Sequence, residues 1–372
     1  MTSQSLPRSS PAAEGVSASG IADFLDAAEA APGISLHSLM VLRHGRVVAE
    51  GWAAPHRATD ARQLYSLSKS FTATALGLAV AEGRLALTDT VVDHFPDLAA
   101  AAGPKARSIT VEHLARMATG HHADTFAAIW QQDPAEPVRA FLNLEPESPP
   151  GSVFAYNNGA SYTLAAILQT CTGQSLTDYL QPRLFDPLDI APPFWESGGG
   201  PRQIGFAGLH LATEDVARFG LLYAQDGLWG GRPLLPPGWV AAASRALTPN
   251  PAEPEPDWQQ GYGYQFWRSR HGYRADGAFG QFCLVLPEQD AVVVITSETE
   301  VMQPLLDAVW AHLLPAFAGS GGDDDRLAER LAGFALPVDG AGTYAADDWV
   351  VAHAVEPAGE GTGWSLTLTD AG

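Results

Sequence analysis

Tyr65-Ser66-Leu67-Ser68-Lys69-Ser70-Phe71 opens the strongest helical pattern in the chain. From Ser66 to Glu82 the apolar residues Phe71, Ala75 and Leu78, with Leu76 and Val80, recur at helical spacing, and Gly83 supplies a stop. Residues three apart on a helix share a face, so this pattern sets the Lys69 ammonium beside the Ser66 hydroxyl. The helix N-terminus adds about half an elementary positive charge next to both. That field and burial lower a lysine pKa towards the roughly 7 to 8 at which the amine can accept a proton. Arginine could not do this, since it stays protonated. Of the 21 basic residues only Lys69 and Lys105 are lysine and 19 are arginine, so lysine at 69 points to proton transfer. The sequence contains no Gly-x-Ser-x-Gly elbow, His-Glu-x-x-His, Gly-x-x-x-x-Gly-Lys or Gly-x-Gly-x-x-Gly.

Ninety residues beyond Ser66 stands Tyr156-Asn157-Asn158, between Pro149-Pro150-Gly151 and a helical pattern from Ala160 to Thr172. With Ser-x-x-Lys, this Tyr-x-Asn resembles the serine β-lactamase and penicillin-binding protein superfamily, in the pattern of class C-like esterases and nylon-oligomer (6-aminohexanoate-dimer) hydrolases. The resemblance covers about residues 13–317, including Ile109-Thr110-Val111-Glu112-His113-Leu114 and Thr213-Glu214-Asp215-Val216-Ala217-Arg218-Phe219-Gly220. It implies Ser66 as acyl-accepting nucleophile, Lys69 and Tyr156 as general acid/base groups, and Asn158 as the amide that orients a substrate carbonyl.

The superfamily's third motif, usually Lys-Thr-Gly, falls on Ala275-Asp276-Gly277. The lysine that meets a β-lactam or peptide carboxylate is missing, and an aspartate stands beside the site. Gly277 fits, because a side chain there would crowd the substrate. The N–H of Ala278 would then join that of Ser66 in an oxyanion hole. Asp276 would repel a substrate anion and attract an ammonium. A Glu-x-x-Leu-Asn motif is absent, since Arg139 precedes Leu142-Asn143, which favours a tyrosine mechanism. Among the histidines, His121 is expected to line the site from its loop.

The implied function is hydrolysis of an ester or amide through an acyl-Ser66 intermediate, without cofactor or metal, on a small-molecule substrate. The alternatives are a penicillin-binding-type peptidase, a β-lactamase, or a non-catalytic acyl-binding sensor of the same fold.

Strand-like runs at 36–43, 47–52, 262–268, 279–286 and 291–296 lie on both sides of a helical stretch, about 89–231. An N-terminal helix is expected at 19–31 and a closing one at 302–317, with Thr110 and Thr213 as N-caps of inner helices. Ends that meet in one antiparallel sheet around an inserted helical region make an α+β protein, here of the β-lactamase/transpeptidase-like fold. The hydrolase domain is expected over 1–318, sheet segments at about 34–53 and 262–298, a Gly/Asp-rich linker over 319–331, and a short β-rich segment over 332–372.

A formal charge of −21 makes nucleic acid a poor partner. Cys171 and Cys283 read as small buried hydrophobes rather than a disulfide or zinc site. No apolar run reaches the roughly 18 residues of a membrane span, and 1–15 lack the pattern of a signal peptide, so a cytoplasmic location is expected. The oligomeric state is left open.

Overall fold

Apolar residues at consecutive positions of the strands face opposite ways, and here both sides are buried. In the computed structural model, which describes residues 5–198, 200–319 and 321–336, β1 (Ile34–Arg43) and β2 (Arg46–Trp52) form a hairpin. They join β3 (Trp267–Arg268), β4 (Tyr273–Gly277), β5 (Gln281–Leu286) and β6 (Ala291–Thr299) in one antiparallel sheet of order β2-β1-β6-β5-β4-β3. Leu39, Val41, Leu284 and Val293 pack with α1 (Ala18–Ala30) and the closing helix that begins at Met302. Met40, Leu42, Val285 and Val292 face the opposite core, with α2 (Ser68–Ala81), α3 (Asn158–Thr172) and α4 (Thr213–Ala224). This is the expected α+β architecture.

The central helix α2 is buried from Ser68 to Gly77, on all sides rather than one. Its hydroxyls make that possible. Ser68 accepts from the Leu209 N–H (3.1 Å), while Ser70 and Thr72 donate to the carbonyls of Gln265 (2.8 Å) and Gly205 (2.7 Å). Polar groups so paired are buried at little cost.

Several expectations change in detail. Only Trp267–Arg268 of the run 262–268 is strand, because Gly261 and Gln265 take φ of 99° and 56° and break the extension. The region 89–231 consists of helices joined by long loops, with short strands at His210–Leu211, which pairs with Arg62–Gln63, and at Leu228–Trp229. Thr110 caps its helix, accepting from the His113 N–H at 3.2 Å, but Thr213 does not cap α4. Its hydroxyl instead bonds Ser38 on β1, 2.8 Å away.

The segment read as a linker holds a helix, α5 (Asp324–Ala332). Asp323 caps it, accepting from the Arg326 N–H at 2.9 Å, so the run of aspartates marks a helix start. Leu327 is buried against the α1 side of the sheet, and Arg326 and Arg330 pair with Asp23 (2.7 Å) and Asp26 (2.6 Å) of α1. The strand-like runs at 349–355 and 364–368 lie outside the described residues. Among the described residues no helix is long and apolar enough to cross a membrane.

One half-buried polar cluster sets a pH limit on stability. Arg62 donates to His37 Nδ1 (2.6 Å) and His56 Nε2 (3.0 Å), which requires both rings to be neutral. Burial, then the Arg62 charge, push His37 down to about 3 and His56 to about 4. The unfolded chain takes up these protons near pH 6.5 and the folded chain does not, so stability falls as pH drops from 6.5 towards 4. The cost is about 1 kcal/mol per ring at pH 5 after allowance for solvent screening. His56→Gln, which keeps an acceptor for Arg62, should therefore lose about 1 kcal/mol less than the parent between pH 7 and pH 5 in urea denaturation. Equal losses would exclude this origin of acid sensitivity.

Candidate active site

Ser66 lies in a single 3-10 turn, Tyr65–Leu67, that leads into α2. Tyr65 holds a left-handed φ of 47°, a conformation that costs a non-glycine residue about 1 kcal/mol or more. Its ring rests edge-on against Phe279, with centroids 5.0 Å apart. One turn further on, Lys69 is 1% exposed. Its Nζ lies 2.8 Å from Ser66 Oγ, 2.7 Å from Asn158 Oδ1 and 2.9 Å from the Phe206 carbonyl oxygen. Thr72 and Ser68 hold the segment 205–209 along α2, which brings that carbonyl within reach.

Tyr156 and Asn158 flank a helix cap. Asn157 is the N-cap of α3, its Oδ1 accepting from Ala160 N (3.1 Å), Thr125 N (3.2 Å) and Thr125 Oγ1 (2.9 Å). This anchor explains the Tyr-x-Asn spacing, for the middle residue is buried and structural while its neighbours project towards Ser66 and Lys69. The Tyr156 ring centre lies 4.8 Å from Lys69 Nζ and stacks on Trp267 at 5.3 Å, and its phenol is a hydrogen-bond partner of Ser66.

The electrostatics follow from burial. Loss of water pushes the Lys69 amine down to about 7, against the pull of the Asp124 and Asp276 carboxylates, which favour its charged form. The same desolvation pushes the Tyr156 phenol well above its ordinary value, more than its bond to Ser66 lowers it. Near neutral pH the site therefore holds an amine able to take a proton and a phenol that keeps its own.

Gly277 ends β4 against the turn that carries Ser66. A Cβ on Gly277 would lie 2.2 Å from the Leu64 carbonyl oxygen and 3.2 Å from the Leu67 nitrogen. Close backbone approach by itself therefore requires glycine here. Ala278 is exposed, and the loop it begins is held from behind: Gln281 Nε2 donates to the Ser297 carbonyl at 2.6 Å, and Ser297 Oγ to that of Phe279 at 2.8 Å.

Two expectations fail here. Asp276 is not a charge open to substrate: it is buried, its carboxylate accepts from Arg274 Nε at 2.7 Å, and Arg274 is fully buried. Strand alternation is the cause, since Ala275 packs on the α2 side while the register partner of Asp276, Phe282, belongs to the opposite core. His121 does not line the site either. Its Nδ1 meets Thr119 Oγ1 (2.9 Å), its Nε2 meets the Leu144 carbonyl (3.1 Å), and its ring packs beside Phe141.

Sequence reasoning missed Asp124. Its Oδ2 accepts from Asn158 Nδ2 at 2.7 Å and its Oδ1 from the Asn158 N–H at 2.8 Å. The one local sign is an aspartate two residues before a helix, where Oδ1 also takes the Phe126 N–H at 3.0 Å.

Residues 21–316 match the β-lactamase family, and the chain belongs to that family of serine hydrolases. Penicillin-binding protein 4 of Amycolatopsis lactamdurans is 27% identical over 298 residues, covering 68% of this chain and 76% of the relative. A 6-aminohexanoate-dimer hydrolase of Paenarthrobacter ureafaciens is 25% identical over 284 residues, covering 69% and 71%. Among solved structures, EstCE1, a hydrolase with promiscuous acyltransferase activity, superposes with a TM-score of 0.63 at 18% identity, over 79% of this chain and 99% of that one. This last likeness concerns the fold.

The Gly277 contact is directly testable. Gly277→Ala must push β4 from the Ser66 turn, at a cost of about 1 to 3 kcal/mol in stability. Labelling of Ser66 by a fluorophosphonate should slow by tenfold or more in protein that remains folded. Parental stability and labelling would show that the two backbones separate freely.

Proposed function

We propose that this member of the β-lactamase family cleaves a neutral ester or amide bond through an acyl-Ser66 intermediate, with Lys69 and Tyr156 moving the protons. The observation that carries the reading is Lys69 Nζ, 2.8 Å from Ser66 Oγ, in surroundings that push its pKa to about 7. As Ser66 Oγ bonds to the substrate carbonyl carbon, its proton passes to Lys69 Nζ and the carbonyl electrons move onto oxygen. The N–H groups of Ser66 and Ala278 receive that oxyanion. When the intermediate collapses, the bond to the leaving oxygen or nitrogen breaks. Tyr156 gives that atom its phenolic proton and takes up the proton held by Lys69, so that both groups are restored. Water then attacks the acyl carbon and gives a proton to Lys69; as the acyl–Oγ bond breaks, that proton returns to Ser66 Oγ and the acid leaves.

The charge inventory supports neutral substrates. Ala275 stands where the superfamily usually has its lysine, Arg274 is bound to Asp276, and Lys69 already has three oxygen neighbours. A substrate carboxylate would meet the exposed Asp124 with no cation from the third motif to offset it.

Three results follow. Ser66→Ala should remain folded and lose turnover of p-nitrophenyl esters by about 10³-fold or more, and Lys69→Arg should lose nearly as much, since a guanidinium keeps its proton. Substantial activity in the arginine variant would mean that Lys69 acts by charge alone. Because the base must be unprotonated, kcat/KM should fall about tenfold per pH unit below about 7. Matched neutral acyl substrates should exceed anionic ones, benzylpenicillin included, at least about fivefold in kcat/KM, equivalent to about 1 kcal/mol. Preference for the anion would rule out the charge argument.

A further inference from the structure

We infer that Asp124 is a positioning residue, whose carboxylate fixes the Asn158 amide in the one orientation that turns the Lys69 lone pair towards Ser66. This rests on the proposed role of Lys69 as the acceptor of the Ser66 proton. An asparagine side chain has an oxygen that accepts and a nitrogen that donates, and rotation by half a turn exchanges them. Asp124 Oδ2 can only accept, so at 2.7 Å it holds Asn158 Nδ2 and leaves Oδ1 facing Lys69 at 2.7 Å. A neutral lysine has two N–H bonds and one lone pair. Asn158 Oδ1 and the Phe206 carbonyl are both acceptors and take the two N–H bonds. The lone pair is left for the remaining neighbour, Ser66 Oγ, which carries the proton to be moved.

With Asn158 turned over, its Nδ2 would donate to Lys69 and occupy that lone pair. Ser66 would then accept from Lys69 instead of donating to it, and the nucleophile would stay protonated. Asp124 resists this because it is itself anchored, its Oδ1 taking the Asn158 and Phe126 N–H groups at 2.8 and 3.0 Å. The N-cap of α3 is Asn157, and Asp124 Oδ1 adds bonds to the first N–H groups of that helix, at Asn158 and Gly159.

Asp124→Asn separates positioning from helix support. Its oxygen can keep the backbone N–H groups, while its amide nitrogen now faces Asn158 and favours the turned-over form. The charged neighbours of Lys69 are the Asp124 and Asp276 carboxylates, the latter bound to Arg274, with Tyr156 a neutral phenol. Removing the Asp124 charge lowers the Lys69 pKa, so the acid limb of kcat/KM should move to lower pH. The expected result for ester turnover is a fall in kcat of tenfold to about 10²-fold, with KM within threefold and the thermal midpoint within about 2 °C of the parent. A smaller fall in kcat, an unmoved acid limb, or a loss matched by a drop in midpoint overturns the inference. If Asp124→Asn does not fold, Asp124→Ser carries the same test, with an oxygen for the backbone and no carboxylate for Nδ2. Parental behaviour of these variants beside inactive Ser66→Ala and Lys69→Arg would reject the Asp124 role alone; active Ser66→Ala would reject the mechanism beneath it.

Discussion

Burial of the Lys69 amine is the constraint around which the site is arranged. An ammonium taken out of water loses several kcal/mol of hydration, and only an excellent set of acceptors or loss of the proton offsets this. Here both occur in part. Three oxygens lie within 2.9 Å of Nζ, yet desolvation still outweighs the two carboxylates that favour the charge. The group is therefore balanced near neutrality, whereas a surface lysine would hold its proton and a wholly unpartnered one would surrender it at any physiological pH. The balance depends on segments distant in sequence: α2 supplies the amine, the start of α3 supplies Asn158, and the loop pinned by Thr72 and Ser68 supplies the Phe206 carbonyl.

Such convergence demands close backbone approach, and glycine marks two of the places. Gly205 lies where a Cβ would be 2.3 Å from that of Ala165 on α3, and Gly277 where it would strike the Leu64 carbonyl. The second of these contacts leaves the turn bearing Ser66 little room to move towards β4. Tyr65 accepts a left-handed φ there, and the Phe279 ring and the Gln281–Ser297 bonds hold the neighbouring loop in place. Rigidity of this kind is what an oxyanion site would need, since its donors act through position fixed before reaction.

The parts legible in the sequence were those whose geometry is local. Ser66 and Lys69 could be read because three residues of helix set their distance, and Tyr156 and Asn158 through resemblance to a Tyr-x-Asn motif, whose spacing proves to be that of a cap between two projecting side chains. Asp124, 34 residues from its partner, and Phe206, which contributes only a main-chain oxygen 137 residues from Lys69, leave no such trace. The aspartate run at 323–325 was misread for a related reason. Its composition resembles a solvated linker, and only the docking of Leu327 and the arginine pairs onto α1 make it a helix. His121 stood in a loop that approaches the site, but its two ring nitrogens are spent on Thr119 and Leu144 within the core.

Asp276 teaches the sharper lesson about charge. From its place in the third motif it reads as a carboxylate facing the substrate, and at about 4 Å a unit charge would dominate selectivity. Strand alternation turns it to the other face, and two residues earlier on that face stands Arg274, which closes the pair at 2.7 Å with its guanidinium stacked 4.5 Å over Trp258. An anion paired this way acts on its surroundings as a dipole, whose field falls off faster than that of a lone charge. The carboxylate that remains open lies on the helical side, at Asp124, where both oxygens are committed to Asn158 and its backbone. Of the two carboxylates that act on Lys69, the exposed one is thus the residue that orients the amide. In the proposed reading, the carboxylate a substrate would meet is therefore the same one that sets the direction of the Lys69 lone pair.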